Sequence, residues 1–543
     1  MSDLEIPIGK RTVAYRFFEM VPAIISYGSI LLLIILSIVS PFAAAAYLLA
    51  IIITALVKAV GIAYHTTTGR DHLEKAQNVD WHERLKQLEN PKASLQSLSE
   101  TSRDFHYMQH LDNLRHISDD TTVFPSPSQI YNAVIIATYN ESYDILRPTI
   151  DSLLDTTYDK DHLIVVIAYE ERGGDAIRNT VHRLEKEFKG KFKAFLTVEH
   201  PSDLPNEVRG KGGNITFAGF FLKQWLRDNT IEYSDVIVTT LDADNRTHST
   251  YFDYLTYEYI VHPDRKHLSY QPVCLFTNNI WDVPAPMRVV ATGNSFWNII
   301  SSMRPHTLRN FASHSQSMDA LVEMDFWSTR TIVEDGHQYW RSYFHFKGKY
   351  SVVPILVPIY QDAVLSSSYK KTLIAQFIQL RRWAYGASDV PYVATRIFSR
   401  RREVPLGAGL ARLVRLIDGH VTLASIAVLI AVGGWVPLFV NGQAAHSIAA
   451  HQLPEVISTI QRFAMIGLLI TIFFSFKLLP PRPERYKRRR NVWMVLQWFL
   501  MPFTAVIYSS LSAFTSQTAL LLGRYFDKFD VTEKATIKSK VKK

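Results

Sequence analysis

The sequence predicts an α/β domain flanked at both ends by membrane-spanning helices. Long apolar runs lie near the two ends of the chain, and short apolar strands alternate with helical segments between them. Alternation of this kind is typical of a parallel sheet with helices on both faces. What the domain does depends on the residues that follow its strands, because ligands bind at the carboxyl ends of such strands.

The N-terminal apolar run, residues 21–57, contains no charged residue. It exceeds the roughly 20 residues of one membrane crossing, and Pro41 lies near its middle. We therefore predict two spans, at about residues 21–40 and 42–64, joined by a tight turn. A signal peptide is not favoured, since its apolar core comprises only about 7–15 residues.

Three further apolar runs follow the central region. Residues 421–454 predict a third span, and residues 463–481 predict a fourth. Residues 491–523 are too long for one crossing of a hydrocarbon core of about 30 Å. They form either one span with an interfacial helix or a hairpin broken near Pro502, so five or six spans remain open.

The net charge is +9, and most of the basic clusters flank the apolar runs. The positive-inside rule then places the N-terminus and residues 485–490 in the cytoplasm, and the basic C-terminal tail favours the same side. We expect anionic lipid headgroups as partners of these clusters and no nucleic acid. The single cysteine, Cys274, excludes an internal disulfide framework and is expected to be a buried small hydrophobe.

The composition divides the chain into four expected regions. These are an N-terminal transmembrane hairpin (1–69), a helical connector (70–130), an α/β domain with interfacial helices near its end (131–400), and a C-terminal membrane region with a basic tail (401–543). In the α/β domain, strands are predicted in YNAVIIAT, HLIVVIAY, FKAFLTVEH and DVIVTT.

Acidic residues follow the strand DVIVTT in the segment LDADNRTH. Asp242 and Asp244 share one face of an extended chain, so both carboxylates can bind one Mg²⁺ or Mn²⁺ that bridges two phosphates. The alternative is a solvated loop, because Asp-x-Asp alone is a common pattern. His248 could add a metal ligand, although a loop histidine is the simpler interpretation.

A glycine-rich segment, VRGKGGNITFA, precedes a predicted helix. Glycines allow backbone N–H groups to approach a phosphate, and a helix N-terminus favours an anion. Lys211 could pair with a pyrophosphate, although the spacing matches neither a Walker motif nor G-x-G-x-x-G. A flexible loop is the alternative.

Two later motifs combine acids with a basic aromatic cluster. In IVEDGHQYW, Glu334 and Asp335, hereafter the acidic pair, begin a helical pattern, where Asp335 is either a helix cap or a general base. In QLRRW, an arginine could stabilise a leaving diphosphate and Trp383 could bind a sugar ring. The alternative is an interfacial helix with headgroup anchors.

The ordered set TYNE (138–141), DAD (242–244), ED (334–335) and QLRRW (379–383), together with the membrane runs, resembles membrane-embedded family 2 glycosyltransferases. Cellulose, hyaluronan and chitin synthases are members of this family. The resemblance covers roughly residues 130–400 and the membrane layout. It implies a GT-A fold, a UDP-sugar-type donor, a divalent metal (Mg or Mn) and inversion at the anomeric carbon.

The resemblance also implies roles for individual residues. The catalytic residues would be Asp335, as the base, with Glu334 beside it, and the metal ligands would be Asp242 and Asp244. Gln379 and Trp383 would bind the acceptor. The donor would be bound by Thr138, Glu141, Lys211, Asp242 and Arg382. Glu170 or Glu171 would substitute for the Asp-Asp or Asp-Gly pair that contacts the nucleobase in such enzymes.

The expected function is therefore sugar transfer by a hexosyltransferase-type enzyme, with its catalytic domain on the cytoplasmic face of the plasma (inner) membrane. Extension of a polysaccharide is the leading version. The alternatives are single-sugar transfer to a lipid or lipid-linked acceptor, and a non-catalytic membrane protein that senses nucleotides. The sequence leaves the sugar, the acceptor and the oligomeric state open.

Overall fold

The computed structural model describes residues 4–99, 102, 104–120, 122–442, 452, 455–456, 458–459, 472–473 and 476–526. This part of the chain contains a mixed eight-stranded sheet with helices packed on both faces, in agreement with the predicted α/β class. It also contains four helices that are long and apolar enough to cross a membrane. Cys274 is buried, as predicted.

The helices lie in chain order as follows: α1 (Val13–Val39), α2 (Pro41–Gln77), α3 (Trp81–Gln87), α4 (Pro91–Ser97), α5 (Tyr107–Asp119), α6 (Tyr143–Leu154), α7 (Gly174–Phe188), α8 (Lys211–Asp228), α9 (Tyr251–Val261), α10 (Ala285–Ser302), α11 (Met318–Glu323), α12 (Glu334–His345), α13 (Tyr369–Ala384), α14 (Asp389–Ile397), α15 (Leu406–Val440) and α16 (Arg489–Leu521). The four long apolar helices are α1, α2, α15 and α16.

The strands are β1 (Tyr131–Thr138), β2 (Leu163–Glu170), β3 (Ala194–His200), β4 (Val236–Asp242), β5 (Arg246–Thr247), β6 (Leu268–Leu275), β7 (Ser315–Ser317) and β8 (Ser351–Tyr360). Their order in the sheet is β3-β2-β1-β4-β7-β6-β8-β5. The four predicted strands β1 to β4 are mutually parallel. The expectation of a purely parallel sheet is wrong, because β7 pairs antiparallel with β4 and β6, and β5 with β8.

Alternate side chains of the central strands fill two separate cores. Val134 and Ile136 of β1 face α6 and α7, whereas Ala133 and Ile135 face α8, and all four side chains are fully buried. Burial on both faces explains why these strands are continuous apolar runs rather than alternating ones. Each fully buried valine or isoleucine contributes about 1.5–3 kcal/mol to folding, so the sheet is a rigid base for its loops.

The turn between the first two long helices lies at Ser40 and Pro41, as predicted. The Ser40 hydroxyl caps α2 by accepting the Ala43 N–H, and Pro41 occupies the first turn, where no N–H partner is required. Both helices are longer than the predicted spans, and α2 continues to Gln77. Its far end packs closely on α10, where a Cβ at Gly69 would lie 2.6 Å from Ile299 Cγ2.

Helix α15 lies beside α1 and extends to the end of α1 that is remote from the sheet. Asn441 follows α15, and its Nδ2 donates to the Ser37 carbonyl near the end of α1, over 3.1 Å. The helix covers residues 406–440 rather than the predicted 421–454, whose remaining residues lie largely outside the described ones. The predicted span at 463–481 also lies mostly outside them.

Helix α16 lies against the sheet domain at both of its ends. Near its start, Arg490 donates to the Trp281 carbonyl over 2.9 Å, and just before it Arg485 pairs with Asp282 at 2.6 Å. Near its end, the Ser516 hydroxyl donates to the Arg381 carbonyl of α13. The helix also continues through Pro502, so of the two alternatives that the sequence left open, the hairpin broken at that proline is excluded.

These contacts lead to a prediction about topology. Reporter tags at residues 2 and 485 should lie on one side of the membrane, the cytoplasm, and a tag beside His446 on the other. The physical reason is that residues 480–490 contact the sheet domain, whereas Asn441 contacts the opposite end of α1. Accessibility of single tags to a membrane-impermeant reagent, in intact and in permeabilised cells, measures this. Tags at residues 2 and 446 on the same side would contradict the arrangement.

Candidate active site

The predicted site residues converge on the carboxyl edge of the parallel strands. Thr138, Glu170 and Asp242 end β1, β2 and β4, and the strand register pairs Ala137 with Asp242 and Thr138 with Tyr169. Ligands bind at this edge in sheets of this kind. The sequence signal for this convergence is a polar residue directly after each buried strand.

At the end of β1, Glu141 folds back over the strand terminus. One carboxylate oxygen accepts the Thr138 hydroxyl over 2.7 Å and the Tyr139 N–H over 2.8 Å. This fixes the turn of the TYNE motif as a unit. Thr138 is buried and Glu141 is partly exposed, so Glu141 is the member that a ligand can reach.

The two glutamates after β2 have different surroundings. Glu170 is buried and binds Arg172 at 2.8 Å and His200 at 3.3 Å. Glu171 is partly exposed, and its carboxylate accepts the Ser202 N–H over 2.8 Å. Burial would lower the pKa of His200, but hydrogen bonds to Glu170 and Glu207 raise it to about 9. Glu170 is therefore held in an ion-paired cluster, and Glu171 is the accessible carboxylate.

Lys211 and Asp242 form an ion pair at the centre of the edge. The Lys211 ammonium lies 2.7 Å from an Asp242 carboxylate oxygen at the first turn of α8. Burial alone would lower the pKa of Lys211, but Asp242 and the acidic pair raise it above its usual range. The lysine is therefore a permanent cation, and the Asp242 side chain remains 38% exposed.

The close approach of α8 to this edge depends on glycine. A Cβ at Gly212 would lie 2.3 Å from the Ser328 carbonyl oxygen, so any larger residue would push the helix away. The glycine-rich segment is thus the packed start of a helix rather than a flexible loop, since Gly212 and Gly213 are both buried.

Asp244 lies beside a residue that the sequence analysis did not select. One Asp244 carboxylate oxygen accepts the Asp362 N–H over 3.3 Å, and the Asp244 carbonyl accepts Asn278 Nδ2 over 3.0 Å. The described residues contain no group of three or more His, Cys, Asp or Glu side chains arranged for a metal ion. Two carboxylates still suit Mg²⁺ or Mn²⁺, which retain water and substrate phosphate oxygens as ligands, so the donor set fits the predicted ion.

The acidic pair begins α12, and its two side chains are buried to different extents. Asp335 is half-buried, and its two oxygens accept the Ala312 N–H at 2.7 Å and the Gly336 N–H at 2.8 Å. Glu334 is almost fully buried, and burial together with Asp335 raises its pKa, while Lys211 and Arg382 oppose this shift. Asp335 thus caps its helix and is also held beside the cations of the site.

The QLRRW segment forms the last turns of α13. Arg382 acts electrostatically on Glu334, which connects this helix to the acidic pair. Trp383 is 39% exposed, with its ring 6.1 Å from Phe276 at the end of β6. Gln379 accepts a hydrogen bond from Gln376 on the same helix over 3.0 Å. The spacing of Gln379, Arg382 and Trp383 places them on one helix face.

His314 completes the loop that holds Asp335, and the sequence analysis missed it. Its Nδ1 lies 3.2 Å from the Ala312 carbonyl, Trp327 Nε1 lies 3.5 Å from its Nε2, and burial lowers its pKa. The segment SHSQSMD has no pattern that marks this role. His248 lies in the loop after β5, where Nδ1 contacts the Thr250 hydroxyl at 3.0 Å and burial lowers its pKa.

No protein-family model matches the chain, and no curated protein matches it. Among solved structures, a mannosyltransferase from Pyrobaculum calidifontis in complex with GDP-Man and Mn²⁺ has a TM-score of 0.38 and 16% identity, over 82% of this chain and 98% of that one. TarS from S. aureus has a TM-score of 0.34 and 9% identity, over 72% of this chain and 55% of that one.

The 1–349 segment of S. aureus TarS in complex with UDP-GlcNAc gives a TM-score of 0.34 with 12% identity, over 73% of this chain and 93% of that one. All three TM-scores are below 0.5 and all identities are below 25%. The likeness therefore assigns neither an activity nor a substrate to this chain.

Proposed function

We propose that the protein is a membrane-bound inverting glycosyltransferase that transfers a sugar from a nucleotide-sugar donor, most simply a UDP-sugar, to a glycan acceptor. One observation carries this proposal. Two permanent cations and three carboxyl groups meet at the carboxyl edge of the parallel sheet: Lys211, Arg382, Asp242, Glu334 and Asp335. Cations suit a leaving diphosphate, and a positioned carboxylate suits the deprotonation of a hydroxyl.

In this mechanism the cationic and the anionic side chains have different roles. Lys211 and Arg382 stabilise the negative charge that develops on the leaving diphosphate. Asp335 accepts the proton of the acceptor hydroxyl, whose oxygen attacks the anomeric carbon from the face opposite the diphosphate. A divalent ion on Asp242 and Asp244 would add further charge stabilisation when bound.

The orientation of Asp335 supports its role as the base. The Ala312 and Gly336 N–H groups each occupy one lone-pair direction of a different carboxylate oxygen. The remaining lone pairs stay available for a hydroxyl proton, and both hydrogen bonds restrict rotation of the carboxylate. A base that is held in this way loses little conformational entropy in the transition state.

Polysaccharide extension is the proposed version because the exposed Trp383 lies on the site face of α13, where it can bind a sugar ring of a growing chain. Single transfer to a lipid or lipid-linked acceptor is the second candidate, since the apolar helices α1 and α15 adjoin the domain. A non-catalytic nucleotide sensor would bind donor without turnover. Purified protein given one nucleotide sugar at a time distinguishes the three outcomes as a product ladder, one added sugar, or no product.

Removal of the metal is expected to stop turnover. Excess EDTA should lower donor consumption to the background rate, and Mg²⁺ or Mn²⁺ added in excess should restore it, because two carboxylates alone repel a diphosphate. Asp244→Asn should raise the metal concentration that gives half-maximal activity. Asp264→Asn, in an exposed turn, is a control that should leave the metal requirement unchanged. Full turnover in excess chelator would contradict the metal assignment.

Loss of the Trp383 ring should separate transfer from donor hydrolysis. Trp383→Ala removes a platform for a sugar, so transfer to an acceptor should fall at least tenfold, whereas slow hydrolysis by water should persist. Both rates are measured on folded, purified protein. Trp493→Ala removes an indole of α16 that is 60% exposed and should lower neither rate per folded molecule. If Trp383→Ala transfers sugar normally, the residue has no role in acceptor binding.

A further inference from the structure

A basic cavity lies between α12, the start of α15 and the loop that precedes Ala312. The cavity is small and partly open to solvent, and its lining includes Arg309, Arg412, Arg415, His306, Tyr339 and Trp340. None of the described residues that line it is acidic. A cavity with several cations and no carboxylate is complementary to an anion.

Two of the three arginines form no direct ion pair with any residue that the structure describes. Within the described part of the chain, neither the Arg309 nor the Arg415 side chain makes an ion pair or a hydrogen bond. Arg309 instead lies over the Trp340 ring, with its guanidinium carbon 5.5 Å from the ring centroid. Burial lowers the pKa of Arg309, and Asp389 offsets this only in part. The described residues therefore neutralise the positive charge of the cavity only in part.

The Trp340 side chain forms part of the cavity wall. It is 1% exposed and its indole Nε1 is buried, so it contributes its ring beneath Arg309 rather than a donor that a ligand could reach. Arg412, by contrast, is held in place by the Tyr339 hydroxyl at 3.3 Å and lies over the Tyr343 ring at 4.6 Å.

The cavity lies at the level where lipid headgroups are expected. Arg412 and Arg415 are one turn apart on α15, and the uncharged part of this helix begins at residue 421. At 1.5 Å per residue, Arg415 is therefore only about 9 Å from the apolar segment. Arginines at such a distance from a hydrocarbon core commonly bind phosphate groups of the membrane surface.

We propose that this cavity binds the phosphate group of an anionic ligand, with the guanidinium groups of Arg309 and Arg415 as its principal donors. A phosphate carries negative charge and several acceptor oxygens, which match the guanidinium groups of the lining. The phosphate is either that of a lipid headgroup or that of a soluble molecule. The proposed site lies about one helical turn along α12 from Asp335, at Tyr339 and Trp340, and the proposal does not depend on glycosyltransferase activity.

The test is a calorimetric binding titration of the purified full chain in a nonionic detergent. The probes are dihexanoyl-phosphatidylglycerol, dihexanoyl-phosphatidylcholine and inorganic phosphate. Arg415→Gln, at an exposed position that should not affect folding, is expected to weaken binding of the anionic probe about tenfold, and Arg309→Gln to weaken it at least as much. The matched control is the double variant Arg401→Gln, Arg402→Gln, which removes two exposed arginines close to α15 but outside the cavity.

The probes identify the source of the phosphate. Tight binding of phosphatidylglycerol alone identifies a lipid headgroup, and equal binding of inorganic phosphate identifies a soluble ligand. The proposal is overturned if neither anion binds, if the zwitterionic lipid binds as well as the anionic one, or if Arg415→Gln binds like the unmodified protein. An equal loss of binding in the control variant would also overturn it, because general surface charge would then explain the effect.

Discussion

Asp335→Asn should lower the turnover number by about 10²–10⁴-fold while donor affinity remains nearly unchanged. Asparagine has the shape of aspartate but cannot accept the proton of the acceptor hydroxyl, and this step contributes mainly in the transition state. Single-turnover kinetics with saturating donor measure the chemical step, and equilibrium binding of the donor measures affinity.

Asp335 is also a helix cap, so its variant needs a control that separates capping from catalysis. Asp319 occupies the same position in α11 and accepts the N–H of the following residue, Ala320, over 2.8 Å, as Asp335 accepts that of Gly336. Asp319→Asn should lower the melting temperature by a similar amount and leave turnover per folded molecule intact. If Asp335→Asn retains normal turnover, or if both variants lose activity equally, Asp335 is a structural cap only.

Lys211→Met should lower kcat/KM by about 10²–10³-fold, the usual scale for removal of one preorganised charge from an active site. Methionine fills most of the lysine volume but leaves Asp242 and the acidic pair without their shared cation. Unlike Asp335→Asn, this variant should also weaken donor binding, because the lysine is proposed to contact the diphosphate before the reaction. Lys223→Met, on the same helix, is the matched control and should retain activity.

The loss of stability in the Lys211→Met variant, relative to the unmodified protein, should depend on pH. Glu334 has a pKa above its ordinary value of 4.5 in the folded protein, so folding takes up a proton and stability falls as the pH rises above 4.5. Loss of the Lys211 charge raises this pKa further, since the lysine opposes the shift. The difference in melting temperature between Lys211→Met and the unmodified protein should therefore be larger at pH 8 than at pH 5. A difference that is independent of pH would show that the lysine does not stabilise the buried carboxyl group.

Two of the strands that the sequence analysis misses are short and polar, unlike the strands that it predicts. β1 and β2 each contain eight residues with apolar, β-branched interiors, so their pattern is unambiguous. β7 consists of Ser315–Ser317 and β5 of Arg246–Thr247, and neither has an apolar pattern. They pair only because longer strands provide unpaired backbone groups beside them, which is information from the tertiary structure. Antiparallel pairing in the sheet was therefore beyond local sequence patterns.

The residues of the candidate site could also be predicted only in part from the sequence. Asp242 and Glu170 could be predicted to lie at one edge, because each ends a recognisable strand. The partners that neutralise or orient these residues could not be predicted. Arg172 binds Glu170 across a short turn, and Ala312 orients Asp335 through its backbone N–H, which every residue except proline possesses. Such partners are brought into place by loop geometry, and no residue pattern in the sequence marks them.

Helix α16 links two parts of the candidate site that belong to different elements. Its start contacts the loop at Trp281, three residues after Asn278, which holds the Asp244 carbonyl, and its end contacts the α13 backbone at Arg381. A helix of 33 residues is about 50 Å long and resists both stretching and bending. It therefore connects the proposed metal-binding residues to the QLRRW helix by a second route, besides the direct contact of Trp383 with Phe276. Since both attachment points belong to the sheet domain, this connection does not depend on bilayer thickness, and the π-helical turn Ala505–Leu511 is where the helix can bend most readily.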